Sequence, residues 1–426
     1  DELTEAEIDE LVNDWEPEPL VPSGDLGPRV AARDALVLER VDGLTAIVAG
    51  DDSPKLMAST NDFLGLAGNP AMKQAALTCI DKYALGSCGP RGFYGTTDQH
   101  LAVEEALARA MSADEAIAYS DAVSTVTSAI PAFSKRGDLL VVDDGVGAAV
   151  RTGCLLSRSK VVFFKHNDMA DLAAALESVK TSDRSNDRSR TQRRFIVVEG
   201  VFGSTGEIAP LDQLVELKKQ YRFRLMVDET LSFGTLGDTG LGLTQHFLLP
   251  LSAIDVMVGS LATSLASVGG FCVGTRQVVD HQRLSGSGYC FSASAPPFTC
   301  AVATAALNHM TSTPALLDRL HTVSRRLHDG LGSTPGMVVI SDPLSAVCHL
   351  RLTDSDSHTL DAQYVMLQAI VDATRDNGVI IARKVEALTD CKAAPTLRIH
   401  ASAAMTDADV DTVVTAVVSA ASATLQ

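Results

Sequence analysis

Between Lys219 and Lys384 this chain of 426 residues contains no lysine. Chemistry that needs an amine from the middle of the sequence is therefore excluded. The eight cysteines include no C-x-x-C pair, which argues against a zinc ribbon or a dithiol motif. Buried free thiols in a reducing compartment are expected instead. The ten histidines form no H-x-x-x-H and no His/Cys cluster, so no metal site is expected. No apolar run is long enough to span a bilayer. Basic residues are scarce: 35 against 53 acidic ones, a net charge of −18. That balance excludes wrapping nucleic acid, whose affinity comes from Lys and Arg on phosphates. The chain begins at Asp1 with no initiator Met and no signal peptide, so removal of an upstream segment is expected.

What is present describes a large α/β protein. A length of 426 residues with 46% apolar side chains can bury a core of one big and one smaller domain. Residues 3–15 read as a short amphipathic helix, with a Thr4/Glu7 capping box and an apolar stripe that ends at Trp15. The prolines of E-P-E-P-L-V-P then break it. It is either a surface helix on its own domain or an arm that reaches a partner or a membrane. Leu36–Ala58 alternates like a hairpin, with turns at Asp42–Gly43 and Gly50–Asp52. Helices are expected at 70–83 and 99–111, around a glycine-rich loop at 84–97.

Strand–helix alternation follows. Candidate strands are Ala116–Ser120, Leu139–Asp143, Val161–Phe164, Phe195–Glu199, Leu225–Asp228, Val256–Gly259 and Gly270–Gly274. Short, wholly apolar strands between helices predict a largely parallel sheet of seven strands, buried on both faces. The polar stretch 181–194 reads as a flexible surface insert. After Pro296 the texture changes to long helices and scattered strands, including one near Val379–Ala382. The expected organisation is an N-terminal helix and arm at 1–50, a large domain at 51–300 and a smaller α+β domain at 301–426.

Two features point to chemistry. Asp228 closes an apolar strand and precedes the glycine-spaced loop Ser232–Gly242, a placement that can hold a protonated ring nitrogen. Alone, it is equally a helix cap or a turn. The stretch Ser260–Gly274 runs from a strand through a Gly-Gly pair into another strand.

The order of motifs adds a resemblance. N-D-F-L-G-L, G-P-R-G-F-Y-G-T, V-E-G-V-F-G-S-T-G-E-I-A-P-L, the V-D-E-T-L-S-F-G loop and F-S-A-S-A-P-P resemble the α-oxoamine synthases. These are fold-type I pyridoxal phosphate (PLP) enzymes. C-G-P-R-G-F-Y-G-T, F-K-H-N-D-M-A-D-L and D-H-Q-R-L-S-G-S-G-Y-C-F-S-A-S are similar to one branch, the first long-chain-base subunits of eukaryotic serine palmitoyltransferase. The resemblance covers residues from about 50 to the C-terminus.

The resemblance implies a site with its reactive groups missing. The Schiff-base lysine position, six residues before Gly269, is Thr263. The two histidine positions are Leu231 and Gly147. Threonine cannot form an aldimine, so no catalytic residue is expected on this chain, and Asp228 is a remnant. PLP is then bound by a lysine-bearing catalytic subunit in an obligate heterodimer, which condenses L-serine with a long-chain acyl-CoA to 3-ketosphinganine. The resemblance assigns Ser292 and Ser294 to the partner's PLP phosphate in trans; a helix cap before Pro296 is the alternative. Cys88, Arg91 and Tyr94 are expected at the interface near the partner's site, with Cys88 as a packed thiol. Arg398 matches a substrate-carboxylate arginine, but a structural ion pair is expected here. The resemblance also leaves room for small activating subunits and Orm-family regulators, and implies a cytosol-facing endoplasmic reticulum location. A PLP-free scaffold or regulatory subunit is the rival reading.

Overall fold

Strands such as Leu139–Asp143 and Arg194–Glu199 carry almost no polar side chain inside their ends, so both faces must be covered. The computed structural model describes residues 36–186, 191–384 and 393–425, with Thr4, Glu5, Asp9 and Val12. Most of the leading helix expected at 3–15 lies outside the described residues; Glu5, Asp9 and Val12 are helical.

The chain opens with strands β1 (Leu38–Asp42), β2 (Thr45–Val48) and β3 (Asp51–Met57), then helices α1 (Pro70–Tyr83) and α2 (Asp98–Ala110). The alternating region is β4 (Glu115–Tyr119), α3 (Ala122–Phe133), β5 (Leu139–Asp143), α4 (Ala148–Ser157), β6 (Lys160–Phe164), α5 (Met169–Asn186), β7 (Arg194–Glu199), α6 (Leu211–Tyr221), β8 (Arg224–Asp228), β9 (Val256–Ser260), β10 (Gly270–Gly274) and α7 (Arg276–Ser285). It ends with α8 (Pro297–Ser312), α9 (Ala315–Leu331), β11 (Met337–Val339), β12 (Val347–Leu352), α10 (Leu360–Asp376), β13 (Val379–Ile380), β14 (Ala382–Arg383), β15 (Leu397–His400) and α11 (Asp407–Thr424).

The large sheet has seven strands in the order β4-β10-β9-β8-β7-β5-β6. All seven expected strands are present, within a residue or two of their expected bounds. β10 runs antiparallel to both neighbours, and the rest of the sheet is parallel. Parallel strands place their C-terminal ends on one edge. There Asp143, Glu199 and Asp228 come together, with Glu199 directly opposite Asp228 in register.

Two smaller sheets complete the fold: β1-β2-β3-β13 and β11-β12-β15-β14. The single strand expected at Val379–Ala382 is two. β13 pairs with β3, whereas β14 pairs with β15, and Ile381 turns the chain between the sheets. The boundary expected at residue 50 falls one residue before β3, whose partners are β2 and the C-terminal β13. The boundary expected at 300 falls inside α8, which packs on α1 and α2.

The polar stretch 181–194 is shorter as a loop than expected. Helix α5 continues to Asn186, and Arg194 already belongs to β7. A two-pronged pair of Arg194 with Asp183, both contacts 2.6 Å, closes it. Among the described residues no helix is long and apolar enough to cross a membrane.

Candidate functional site

A cavity of about 380 Å³ lies at the C-terminal edge of the large sheet. Gly147, Glu199, Asp228, Thr230 and Leu231 line one side, and Arg383, Lys384 and Arg398 line the other. The three positions read as altered therefore fall in or beside one site. Thr263 is buried, and its hydroxyl donates to the carbonyl of Thr230 at 3.1 Å. It is tied to the wall of the cavity through Thr230, which lines it. The one lysine lining the cavity among the described residues, Lys384, comes from the end of β14; its amine donates to the carbonyl of Ala393 at 3.3 Å.

Gly147 precedes α4, and its N–H donates to Glu199 Oε1 at 2.6 Å. Glu199 Oε2 accepts from the Gly203 N–H at 2.8 Å. A side chain at 147 would begin with a Cβ 3.2 Å from Glu199 Oε1. Asp228 accepts from both the N–H and the hydroxyl of Thr230, at 2.9 and 2.6 Å. Burial, and next the charge of Asp228, push Glu199 up to about 8. Burial also raises Asp228. Like charges in a dry site cannot both ionise cheaply.

This pair has a measurable consequence. A carboxylate whose folded pKa lies above its unfolded 4.5 is at its most favourable below pH 4.5 and loses that stability as pH rises to 8. Asp228→Asn keeps an acceptor for Thr230 and removes one charge of the pair. Stability at pH 8 should rise by about 1–3 kcal/mol, with a flatter slope between pH 5 and 8. Thermal melts of both proteins across that range check this; parallel curves would refute it.

The residues present do not fit a covalently held PLP. Asp228 would offer a carboxylate to a ring nitrogen, but position 263 has a hydroxyl already bonded to the backbone, and position 147 has no side chain. No step of any reaction is assigned to this cavity.

Ser292 and Ser294 are elsewhere in the chain's own fold. They line a small void with Arg91, His100 and Tyr119, outside the cavity. Neither caps a helix: α8 starts after Pro296 with no side-chain cap. Ser294 donates from its N–H and its hydroxyl to the carbonyl of Gly89, both at 2.9 Å. Ser292 donates to the carbonyl of Gly288 and lies 3.3 Å from the Ser120 hydroxyl. Ser294 thus ties its segment to the loop Cys88–Thr96. Gly95 permits that approach, since a Cβ there would lie 2.5 Å from Ser294 Oγ.

That loop corrects two expectations. Arg91 is not free to reach a partner; its guanidinium is buried in a fork with Glu104, at 2.7 and 3.0 Å. Cys88 is exposed rather than packed, at φ +55°. Tyr94 is fully exposed at φ +65°, beside the exposed Phe93. Cys79, Cys154, Cys272, Cys300 and Cys348 are buried free thiols; Cys391 lies outside the described residues. Among the described residues no cluster could hold a metal ion.

Arg398 lies opposite His349 across β12 and β15 and reaches the cavity lining. Two further residues matter at this edge. Glu199 reads in sequence only as the polar end of a strand; the V-E-G step into a glycine-rich turn is its one signal. His166, held by Asp143 at 2.7 Å, sits in the quoted F-K-H-N motif.

Comparison with known proteins agrees with this geometry. The pattern of the aminotransferase class I and II family matches residues 53–417. Long chain base biosynthesis protein 1b of Oryza sativa subsp. japonica is 42% identical over 410 residues, covering 96% of this chain and 83% of that protein. Serine palmitoyltransferase 1 of Dictyostelium discoideum is 41% identical, covering 90% and 80%. The solved Sphingomonas wittichii serine palmitoyltransferase superposes with a TM-score of 0.82 at 26% identity, covering 94% of this chain and 95% of that one. Fold, motif order and relatives agree, and the chain belongs to the aminotransferase class I and II family, within its group of long chain base biosynthesis protein 1 and serine palmitoyltransferase 1.

Proposed function

We propose that this chain is the non-catalytic subunit of a serine palmitoyltransferase, the enzyme of the first step of sphingolipid synthesis. The observation that carries this reading is Thr263. Its hydroxyl is spent on the Thr230 carbonyl in a buried wall, while the sheet and the Asp228 strand end around it are intact. A lysine-bearing partner holds PLP and condenses L-serine with a long-chain acyl-CoA, and this chain stabilises it. Cys88, Tyr94, Ser292 and Ser294 stand toward that partner. The exposed side chains Phe93, Tyr94 and Phe291 lie on the two segments that Ser294 ties together, and they give the contact its apolar surface. Arg91 acts from inside, by fixing the loop that bears Tyr94. In this reading the complex works at the cytosolic face of the endoplasmic reticulum.

The test is borohydride reduction of the co-purified pair. Reducible PLP should be found on the partner polypeptide alone, and Asp228→Asn in this chain should leave turnover within about twofold. A reduced PLP adduct on this chain, mapped by mass spectrometry, would overturn the assignment. A complex in which deletion of this chain leaves partner stability and turnover intact would favour a purely regulatory role.

A further inference from the structure

We propose that the N-terminal edge of the large sheet, opposite the cavity, is a docking surface for an anionic lipid bilayer. The chain carries a net charge of −18, yet this edge is basic. Each helix-to-strand return on the β8-β7-β5-β6 half bears exposed cations. They are Lys135 and Arg136 before β5, Arg158 and Lys160 at β6, Arg193 before β7, and Lys219, Arg222 and Arg224 at β8.

Register makes these turns level. Leu139 lies opposite both Lys160 and Arg194, and Phe195 lies opposite Arg224. Four adjacent strands span about 14 Å at the usual strand spacing. The turns that bear these cations therefore lie along one edge of the sheet. The nearby acids are mostly spent. Asp138 is buried and accepts the N–H groups of Lys135 and Arg193, Asp183 pairs with Arg194, and Asp255 pairs with Lys218. Glu216 on α6 and Asp114 before β4 are exposed carboxylates. Among the described residues none of the eight exposed cations is in an ion pair.

Helix dipoles favour a cation at each helix C-terminus. One per end would satisfy them, whereas three of the four turns carry two or three. What flanks the row favours a lipid over an acidic protein. At the β8 end, Arg193 and Arg224 rim a cavity of about 670 Å³ floored by Phe133, Phe195, Ile254 and Val256. At the β6 end, Leu155 and Leu156 are exposed beside Arg158. Cations bordered by apolar surface match the boundary between headgroups and acyl chains.

The experiment is flotation of the 426-residue chain with vesicles of phosphatidylserine in phosphatidylcholine, against phosphatidylcholine alone. Binding should require phosphatidylserine and weaken with salt. Each cation near such a surface is worth roughly fivefold in partition, so the triple variant Arg136→Glu, Lys160→Glu, Arg222→Glu should lose about a hundredfold or more. The variant should stay folded, with the far-ultraviolet circular dichroism of the parent, because all three side chains are exposed and reversing a charge at a helix C-terminus costs only about 1 kcal/mol or less. Absence of phosphatidylserine-dependent flotation at low salt, or a triple variant that floats like the parent, overturns the proposal. Retention on a polyglutamate resin without flotation also overturns it, in favour of an acidic protein partner.

Discussion

Arg91→Ala should cost about 3–5 kcal/mol, the scale of stranding one partner of a buried ion pair. Arg91 and Glu104 have side chains only 5% and 9% exposed, so neither charge has water to fall back on. The guanidinium does more than pair. Its Nε donates to Thr96 Oγ1 at 3.0 Å, and it lies 5.3 Å from the centroid of the Tyr289 ring. Glu104 also accepts the Ala118 N–H at 2.9 Å, which joins α2 to β4. One substitution therefore loosens the Cys88–Thr96 loop, a helix and a strand together. Arg91→Lys keeps the charge but loses the fork and the stacking, and should fall between. The Arg91→Ala, Glu104→Ala double variant should be more stable than the two single losses added together. Denaturant midpoints of the parent, the three single variants and the double variant decide it; an Arg91→Ala cost below about 1 kcal/mol would mean that water reaches the pair. If the loop contacts the lysine-bearing partner, yield of the co-purified complex should fall in parallel.

This residue also marks where sequence reading stops. The central strands were legible because their signal is local: a run such as Leu140–Val142 needs only its own side chains to be recognised as buried. Thr263, Leu231 and Gly147 stand out in sequence because the resemblance fixes their spacing, and the fold gathers them at one edge. Arg91 sits in a loop of glycines, where an arginine would ordinarily face water. Only Glu104, thirteen residues on and on another element, turns it inward. The split between β13 and β14 depends in the same way on β3, more than three hundred residues earlier. Cys88, expected as a packed thiol, is exposed for the opposite reason. Its neighbours Gly86 and Gly89 give it no apolar run to pack in, and the backbone at φ +55° turns it outward. Glu199 was invisible because its consequence lies in the register that sets it beside Asp228.

The second large effect is expected at His166, and its signature is pH. The ring is gripped from both nitrogens: Nδ1 is 2.7 Å from Asp143 Oδ1, and Nε2 is 3.0 Å from both Glu207 Oε2 and Thr205 Oγ1. Two carboxylates at the two nitrogens require both to be protonated. Burial opposes the charge, but the bonds to Asp143 and Glu207 outweigh it and raise the pKa to about 10. A histidine raised from 6.5 contributes stability that is complete below pH 6.5 and is lost as pH climbs through 10. His166→Ala should therefore cost about 2–4 kcal/mol at pH 7 and much less above pH 10. Denaturation of parent and variant at both pH values tests it, and a cost that does not change with pH would remove the imidazolium from the account. The consequence reaches the cavity. Asp143 also accepts the N–H groups of Gly145 and Asn167, at 2.6 and 2.8 Å, and a Cβ at 145 would collide with the imidazole. The imidazolium thus clamps the turn that ends at Gly147, which lines the cavity. The clamp therefore holds the shape of the cavity edge from Asp143 to Gly147.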